Sequence, residues 1–350
     1  MAHLPKIELH IHLDGAIRHD TIVDLAKQKQ IPLPSYNTYE FRAAVTSREP
    51  ASLEKMLNDF RIFIPVLIGD PEALERVAYE YCVTQADNNV IYSELRYSPH
   101  LLSNMISNNP YRPSNGPYRA KGDVAPEKVV QCINEGLRKG QRDFGIQVRS
   151  LLCCIAGYSD WSNEVLRLCD KYRFDGVVGI DQAGANVKFD HREITIFNQA
   201  EKMGIHRTIH AGETGTADNV KQAIEDLHVE RIGHGYRVLQ DPTIYESLKK
   251  GGQHLELCPL SSVVTGSVEN NWAKHPAKRF LKDRINFSIN TDDPTILDNS
   301  MNSEFDLCKE KLQFTDHDLF YAVSNAARSA FLKDEEREAL LSKVKRQWPK

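Results

Sequence analysis

The chain has 350 residues, with 44 Lys and Arg against 48 Asp and Glu, a net charge of −4 and 41% hydrophobic residues. So small a net charge, without any long basic run, gives nucleic acid and anionic membrane surfaces no electrostatic footing as partners. No 18-residue apolar run and no internal repeat occur, so neither membrane insertion nor a solenoid is expected.

At the N-terminus no secretory h-region appears, and a cytoplasmic location is expected. Ile7–Leu13 is the first strand-like run, interrupted by His10 and His12. Residues two apart on a strand point to one side, so these imidazoles share a face. Such a pair suits a divalent metal of the zinc type, although a hydrogen-bonded core pair has the same spacing. Leu53–Ile68 and Pro71–Asp87 read as two helices inserted after this strand, a cap at about residues 53–88. Leu53, Met56, Leu57 and Phe60 fall on one face of the first, a stripe that core packing alone also explains. Val90–Tyr97 is the second strand, and the Asn-, Pro- and Ser-rich Ser103–Gly122 reads as a loop. Further strands follow at Ile146–Cys154, Gly176–Asp181, His206–His210, Arg231–His234, Gln253–Cys258 and Ile285–Asn290. Helical stretches separate them at Pro126–Lys139, Ser162–Tyr172, Glu193–Met203, Ala217–Leu227 and Pro242–Lys250, and two more helices close the chain within Phe314–Trp348. Seven cysteines occur without any C-x-x-C pair, and the neighbours Cys153 and Cys154 read as buried free thiols.

Eight strands alternating with helices imply a parallel (β/α)8 barrel, whose active sites lie at the C-terminal ends of the strands. A doubly wound sheet is the structural alternative, but it sets strand ends along a line. The chain exceeds a bare barrel of about 250 residues, leaving room for the cap within one domain spanning 1–350. Thr208–Glu213, Arg231–Tyr236 and Asn290–Pro294 each run from a strand into Gly or Pro. They deliver His210, His234 and Asp292 at strand ends, the ligand types catalytic zinc uses. Spacing alone does not decide between His210 and His234 as ligand. Asp181, ending the fourth strand, could orient a metal-bound or catalytic group.

Glu8–Gly15 (ELHIHLDG), Arg96–Leu102 (RYSPHLL), His210–Glu213 (HAGE), Gly233–Tyr236 (GHGY), Cys258–Gly266 (CPLSSVVTG) and Asn290–Pro294 (NTDDP) together resemble the adenosine deaminase family. The segments keep the family's order, and Glu80–Pro99 and Arg142–Cys154 extend the likeness over nearly the whole chain. Pro259-Leu260-Ser261 and the loop Ser103–Gly122 depart from the vertebrate-type pattern, and the N-terminal extension of the secreted growth-factor branch is absent.

The resemblance implies a zinc-dependent barrel of purine salvage that hydrolyses adenosine or 2′-deoxyadenosine to the inosine form plus ammonia. It implies one zinc per chain held by His10, His12, His210 and Asp292, which pulls the pKa of a bound water toward neutrality. His12 also counts among the substrate-binding residues. His234 then stands beside the water as base, and Glu213 donates a proton to purine N1. A protonated Asp293 donates to N7, Gly184 offers its N–H to N3, and Asp14 accepts from a ribose hydroxyl. Leu53, Met56, Leu57 and Phe60 become an apolar wall near the sugar. The expected partner is a small purine nucleoside; some vertebrate relatives also dock on a cell-surface peptidase, which this sequence does not decide.

Rival readings remain at this point. A deaminase of AMP or N6-methyl-AMP shares the metal site but holds a phosphate, which Asp14 repels although Arg18 and His19 lie nearby. A binuclear amidohydrolase needs a bridging Lys or acid on the fourth strand, and that strand ends in Asp181 without a Lys. A metal-stabilised binding protein needs none of Glu213, His234 and Asp293.

Overall fold

The apolar runs become eight strands in the computed structural model, which describes residues 2–47, 50, 52–112, 122–184 and 188–349. They are β1 Lys6–His12, β2 Val90–Tyr97, β3 Gln147–Ile155, β4 Val177–Ala183, β5 His206–Ala211, β6 Arg231–His234, β7 His254–Leu257 and β8 Phe287–Ile289. Each strand pairs in parallel with the next, in the order β1 to β8. Parallel neighbours need crossovers, and the intervening helices supply them while covering the outer face of the sheet. The ring closes just past β8. There the His12 amide donates to the Asp292 carbonyl at 3.0 Å, and the Asp292 amide donates to the His10 carbonyl at 3.1 Å. The architecture is the (β/α)8 barrel that the alternation implies, and its closing seam runs through three of the candidate ligands.

Local chemistry sets many of the helix starts. Asp70 accepts from the amides of Glu72 and Ala73 with Pro71 at the first helical position, and Asp190 with Glu193 forms a capping box. Two helices, His19–Lys29 and Thr38–Val45, lie between β1 and the expected cap, where no element was anticipated. The first buries Ile22, Val23, Leu25 and Ala26 at helical spacing, whereas the second buries only Phe41 and Val45, too few to set a period.

The expected cap divides in two. Helix Leu53–Phe63 lies over the strand ends, whereas helix Pro71–Asp87 packs along the barrel flank against helix Pro126–Phe144. That contact is close because Gly136 has no side chain: a Cβ there would stand 2.2 Å from the Glu75 carbonyl oxygen. Helix Pro71–Asp87 is therefore a barrel-layer helix and not a cap element. Of the loop Ser103–Gly122, residues 113–121 lie outside the described residues.

The barrel interior is charged as well as apolar. Arg96 donates to Glu256 at 2.7 Å and to Asp181 at 3.2 Å, and Arg231 donates to Glu256 at 2.7 Å and also to Glu94. All five are fully or almost fully buried, and such ions persist only when paired. The C-terminal segment seals the opposite end: the Phe331 amide donates to Glu94, and the Arg231 guanidinium lies 3.6 Å over the Phe331 ring. Among the described residues no helix is long and apolar enough to cross a membrane.

Candidate functional site

Strand ends β1, β5, β6 and β8 converge. His10 and His12 rings stand 5.5 Å apart, and His210 lies 4.6 Å from His10 and 5.1 Å from His12. Asp292 Oδ1 is 3.2 Å from His10 Nε2 and 3.5 Å from His12 Nε2, and the Nε2 atoms of His12 and His210 are 3.1 Å apart. These four residues can offer one ligand atom each within 4.8 Å of one another.

The tautomers follow from the outer partners. His10 Nδ1 donates to Glu256 at 2.7 Å, and His210 Nδ1 donates to the Gln182 carbonyl at 3.0 Å with Asp181 beside it. Both Nε2 atoms therefore turn lone pairs inward, and His10 Nε2 is buried without a hydrogen bond. Burial, and then His210, hold His12 well below its ordinary pKa, so a proton on His12 does not relieve its 3.1 Å contact with His210. Two imidazole lone pairs and a carboxylate oxygen at such distances fit a divalent cation between them. Backbone geometry agrees: Asp292 (φ 70°) and His234 (φ 66°) adopt the left-handed region that non-glycine residues avoid.

Beside this cluster lie three buried acids. Burial first, and then Asp292, push the Glu213 carboxyl up to about 7. Burial, Asp292, Asp14 and Glu213 push Asp293 well above the carboxylate range, and burial pushes Asp14 up to about 6. Asp14 Oδ1 and Asp293 Oδ1 have no partner. Gly15 makes room for Asp293, because a Cβ at Gly15 would sit 1.9 Å from Asp293 Oδ1. His234 Nε2 stands 3.6 Å from Glu213 and 3.9 Å from Asp292 Oδ2, and burial lowers its pKa far enough to keep the ring neutral. A neutral imidazole next to a protonated carboxyl is an acid–base pair.

Apart from His10, which is fully buried behind them, these groups open into one cavity of about 800 Å³. His12, Asp14, Gly184, His210, Glu213, His234, Asp292 and Asp293 line it, together with Leu53, Leu57 and Phe60 from the overlying helix. Met56 does not. It is 1% exposed and packs in the core, because it sits one residue off the cavity-facing edge of that helix.

Sequence reasoning missed the supports. Glu256 orients His10, Ser261 Oγ donates to Asp292 Oδ2 at 2.7 Å, and Tyr111 and Arg61 line the cavity. A charged residue amid the apolar HLEL of β7 was the available signal for Glu256.

A family model described as adenosine deaminase matches residues 5–347. Adenosine deaminase of Gallus gallus is 44% identical over 342 residues, covering 97% of this chain and 94% of that protein. An amidohydrolase from Burkholderia ambifaria, solved with bound Zn, superposes with a TM-score of 0.85 at 26% identity, covering 99% and 91% of the two chains. Arabidopsis ADAL complexed with GMP gives a TM-score of 0.81 at 25% identity over 99% and 98%.

Proposed function

The chain belongs to the adenosine deaminase family, and on that premise we propose that it hydrolyses adenosine and 2′-deoxyadenosine to inosine and 2′-deoxyinosine plus ammonia. The observation that carries this reading is the juxtaposition of four candidate metal ligands with three buried acids, two of which, Asp14 and Asp293, each have an oxygen without a partner. The family is metal-dependent, and His10, His12, His210 and Asp292 are the residues that would hold one zinc. When bound, zinc supplies Lewis acidity that draws the pKa of a water toward neutrality.

The chain's own groups do the remaining work. Glu213, kept protonated by burial, donates to purine N1 and makes C6 electrophilic. His234 takes the proton of the attacking water as its oxygen bonds to C6. The C6–N6 bond then breaks as His234 passes its proton to the leaving amine, which departs as ammonia, while the C6 hydroxyl proton returns to Glu213 and N1 keeps the proton it received. Asp293, also protonated, donates to N7, an acceptor, and Gly184 offers its amide to N3. His12 and Asp14 border the substrate, Asp14 accepting from a ribose hydroxyl, while Leu53, Leu57 and Phe60 exclude water above the sugar. The seven cysteines are all buried and none forms a disulfide, which supports the cytoplasmic location we propose.

A nucleotide reading draws support from Arg61 and Lys188, which reach the same cavity. Arg61 already donates to the Pro110 carbonyl at 2.7 Å, and Asp14 meets a phosphate with like charge. Ultraviolet spectra of the purified protein incubated separately with adenosine, 2′-deoxyadenosine, AMP and adenine decide the matter. Conversion of the two nucleosides with AMP inert is expected; faster conversion of AMP overturns the nucleoside assignment.

A further inference from the structure

Two anchors fix Tyr111 at the cavity wall, one from its own loop and one from helix Leu53–Phe63. In the loop, the buried Asn109 donates to the Leu101 carbonyl at 2.8 Å, and its side-chain oxygen accepts from the Tyr111 amide at 2.9 Å. On the helix, Arg61 donates to the Pro110 carbonyl at 2.7 Å and lies 5.8 Å over the Tyr111 ring, while Asn58 accepts from its guanidinium at 3.3 Å. The backbone and ring of Tyr111 are thus held, yet its phenol hydroxyl makes no hydrogen bond among the described residues. Tyr111 lines the same cavity as Asp14 and Asp293, each of which has an oxygen without a partner. Burial, and then the charge of Asp14, push the phenol pKa up, with a smaller push from Asp293, so the hydroxyl keeps its proton for donation. Asp14 is assigned to a ribose hydroxyl and Asp293 to purine N7. In an anti nucleoside the 5′ hydroxyl lies over C8, beside N7, and is the sugar oxygen that falls between these two acids.

We propose that Tyr111 is a specificity-determining residue that reads the 5′ hydroxyl of the nucleoside, its phenol donating to the oxygen whose proton Asp14 accepts, with Arg61 as the positioning residue. The assignment rests on the nucleoside reading given above. A hydroxyl carries one proton and two lone pairs, so an acceptor and a donor together satisfy it. A substrate without that hydroxyl leaves both protein groups unmatched in a dry wall, which is what makes such a pair selective. A 5′ phosphate ester has no proton on that oxygen and brings negative charge toward Asp14, so the same pair disfavours AMP.

The test measures kcat and KM for adenosine and its 2′-, 3′- and 5′-deoxy analogues with wild type, Tyr111→Phe, Arg61→Met and Arg61→Lys. A ratio of kcat/KM between two substrates does not depend on the fraction of enzyme that is folded. In Tyr111→Phe the three nucleosides that keep the 5′ hydroxyl should lose roughly ten-fold in kcat/KM, mainly through KM, and 5′-deoxyadenosine should change less than about two-fold. Arg61→Met should show the same selective loss more weakly, and Arg61→Lys, which still donates to the Pro110 carbonyl, should recover most of it. Equal losses for all four substrates, no loss for any, or a loss that follows the 2′ or 3′ hydroxyl overturns the role of Tyr111. An Arg61→Met protein that matches wild type, or that loses equally on every substrate, overturns the positioning role. Wild type that converts none of the four fails the nucleoside reading itself and this proposal with it.

Discussion

Glu213 lies three residues past His210, yet the two side chains are assigned opposite tasks because their surroundings differ. His210 is turned by Gln182 and Asp181 so that its free nitrogen faces the cluster, whereas Glu213 is pressed into a dry wall that keeps its proton. Glu213→Gln keeps the shape but has no acidic proton to give. Turnover of adenosine should fall by about 10²–10⁴, metal content should hold, and ground-state nucleoside binding should change far less. Steady-state kinetics with metal analysis checks this; turnover within a few-fold of wild type removes Glu213 from its role. Glu304 offers a stability test at a residue outside the proposed ligand set. It is 1% exposed, accepts from Asn299 and the Leu260 amide, and burial pushes its carboxyl up to about 8. A raised folded pKa means that its contribution is complete below the unfolded value of about 4.3 and is lost as pH rises through about 8. Glu304→Gln does not titrate, so its stability relative to wild type should improve by a few kcal/mol, on the order of the pKa shift, between these limits. Urea unfolding of both proteins at several pH values measures the slope. A pH-independent difference refutes the assignment.

At the scale of elements, helix Leu53–Phe63 is proposed to contribute recognition and no reacting group. Ser52 starts it by accepting from the Lys55 amide, and its apolar edge turns down over the cavity. Leu57→Ala removes part of that wall while leaving every titratable group in place. Burying a leucine side chain against a ligand is worth about 1.5–3 kcal/mol when complete; Leu57 is only half-buried, so the expectation is a KM for adenosine raised roughly ten-fold with kcat little changed. An equal fall in kcat with unchanged KM indicates that the helix positions reacting groups instead. The neighbouring helix Pro71–Asp87, held on the barrel flank by Gly136, is expected to affect stability and leave KM alone.

Over the whole molecule, the proposed ligands come from β1, β5 and the segment after β8, so a bound metal ties the closing seam to the far side of the barrel. A ligand that binds only the folded state adds about 4 kcal/mol at a thousand-fold excess over its Kd. Chelation should therefore lower the thermal midpoint by several degrees, and added zinc should restore it. Calorimetry with and without chelator checks this, and an unchanged midpoint argues against a metal bridging these strands.

The barrel was legible because each strand carries its own apolar run and each crossover its own helix, and these are local properties of the chain. His10 with His12 was legible for the same reason, the period of a strand being fixed at two. What the sequence left open was everything that depends on distant contact. His210 and His234 look alike in sequence, and they part only because Gln182 and Asp181 turn one ring while the other meets Glu213. Glu256 looks like any charged residue until the closed barrel sets it between His10, Arg96 and Arg231. Met56 shares a helical stripe with Leu57, and only the seating of that helix over the cavity sends one into the core and the other to the cavity wall. Periodicity specifies a face, but burial, tautomer and proton occupancy are set by which residues of other strands arrive at that face, and the closure of the ring alone decides that.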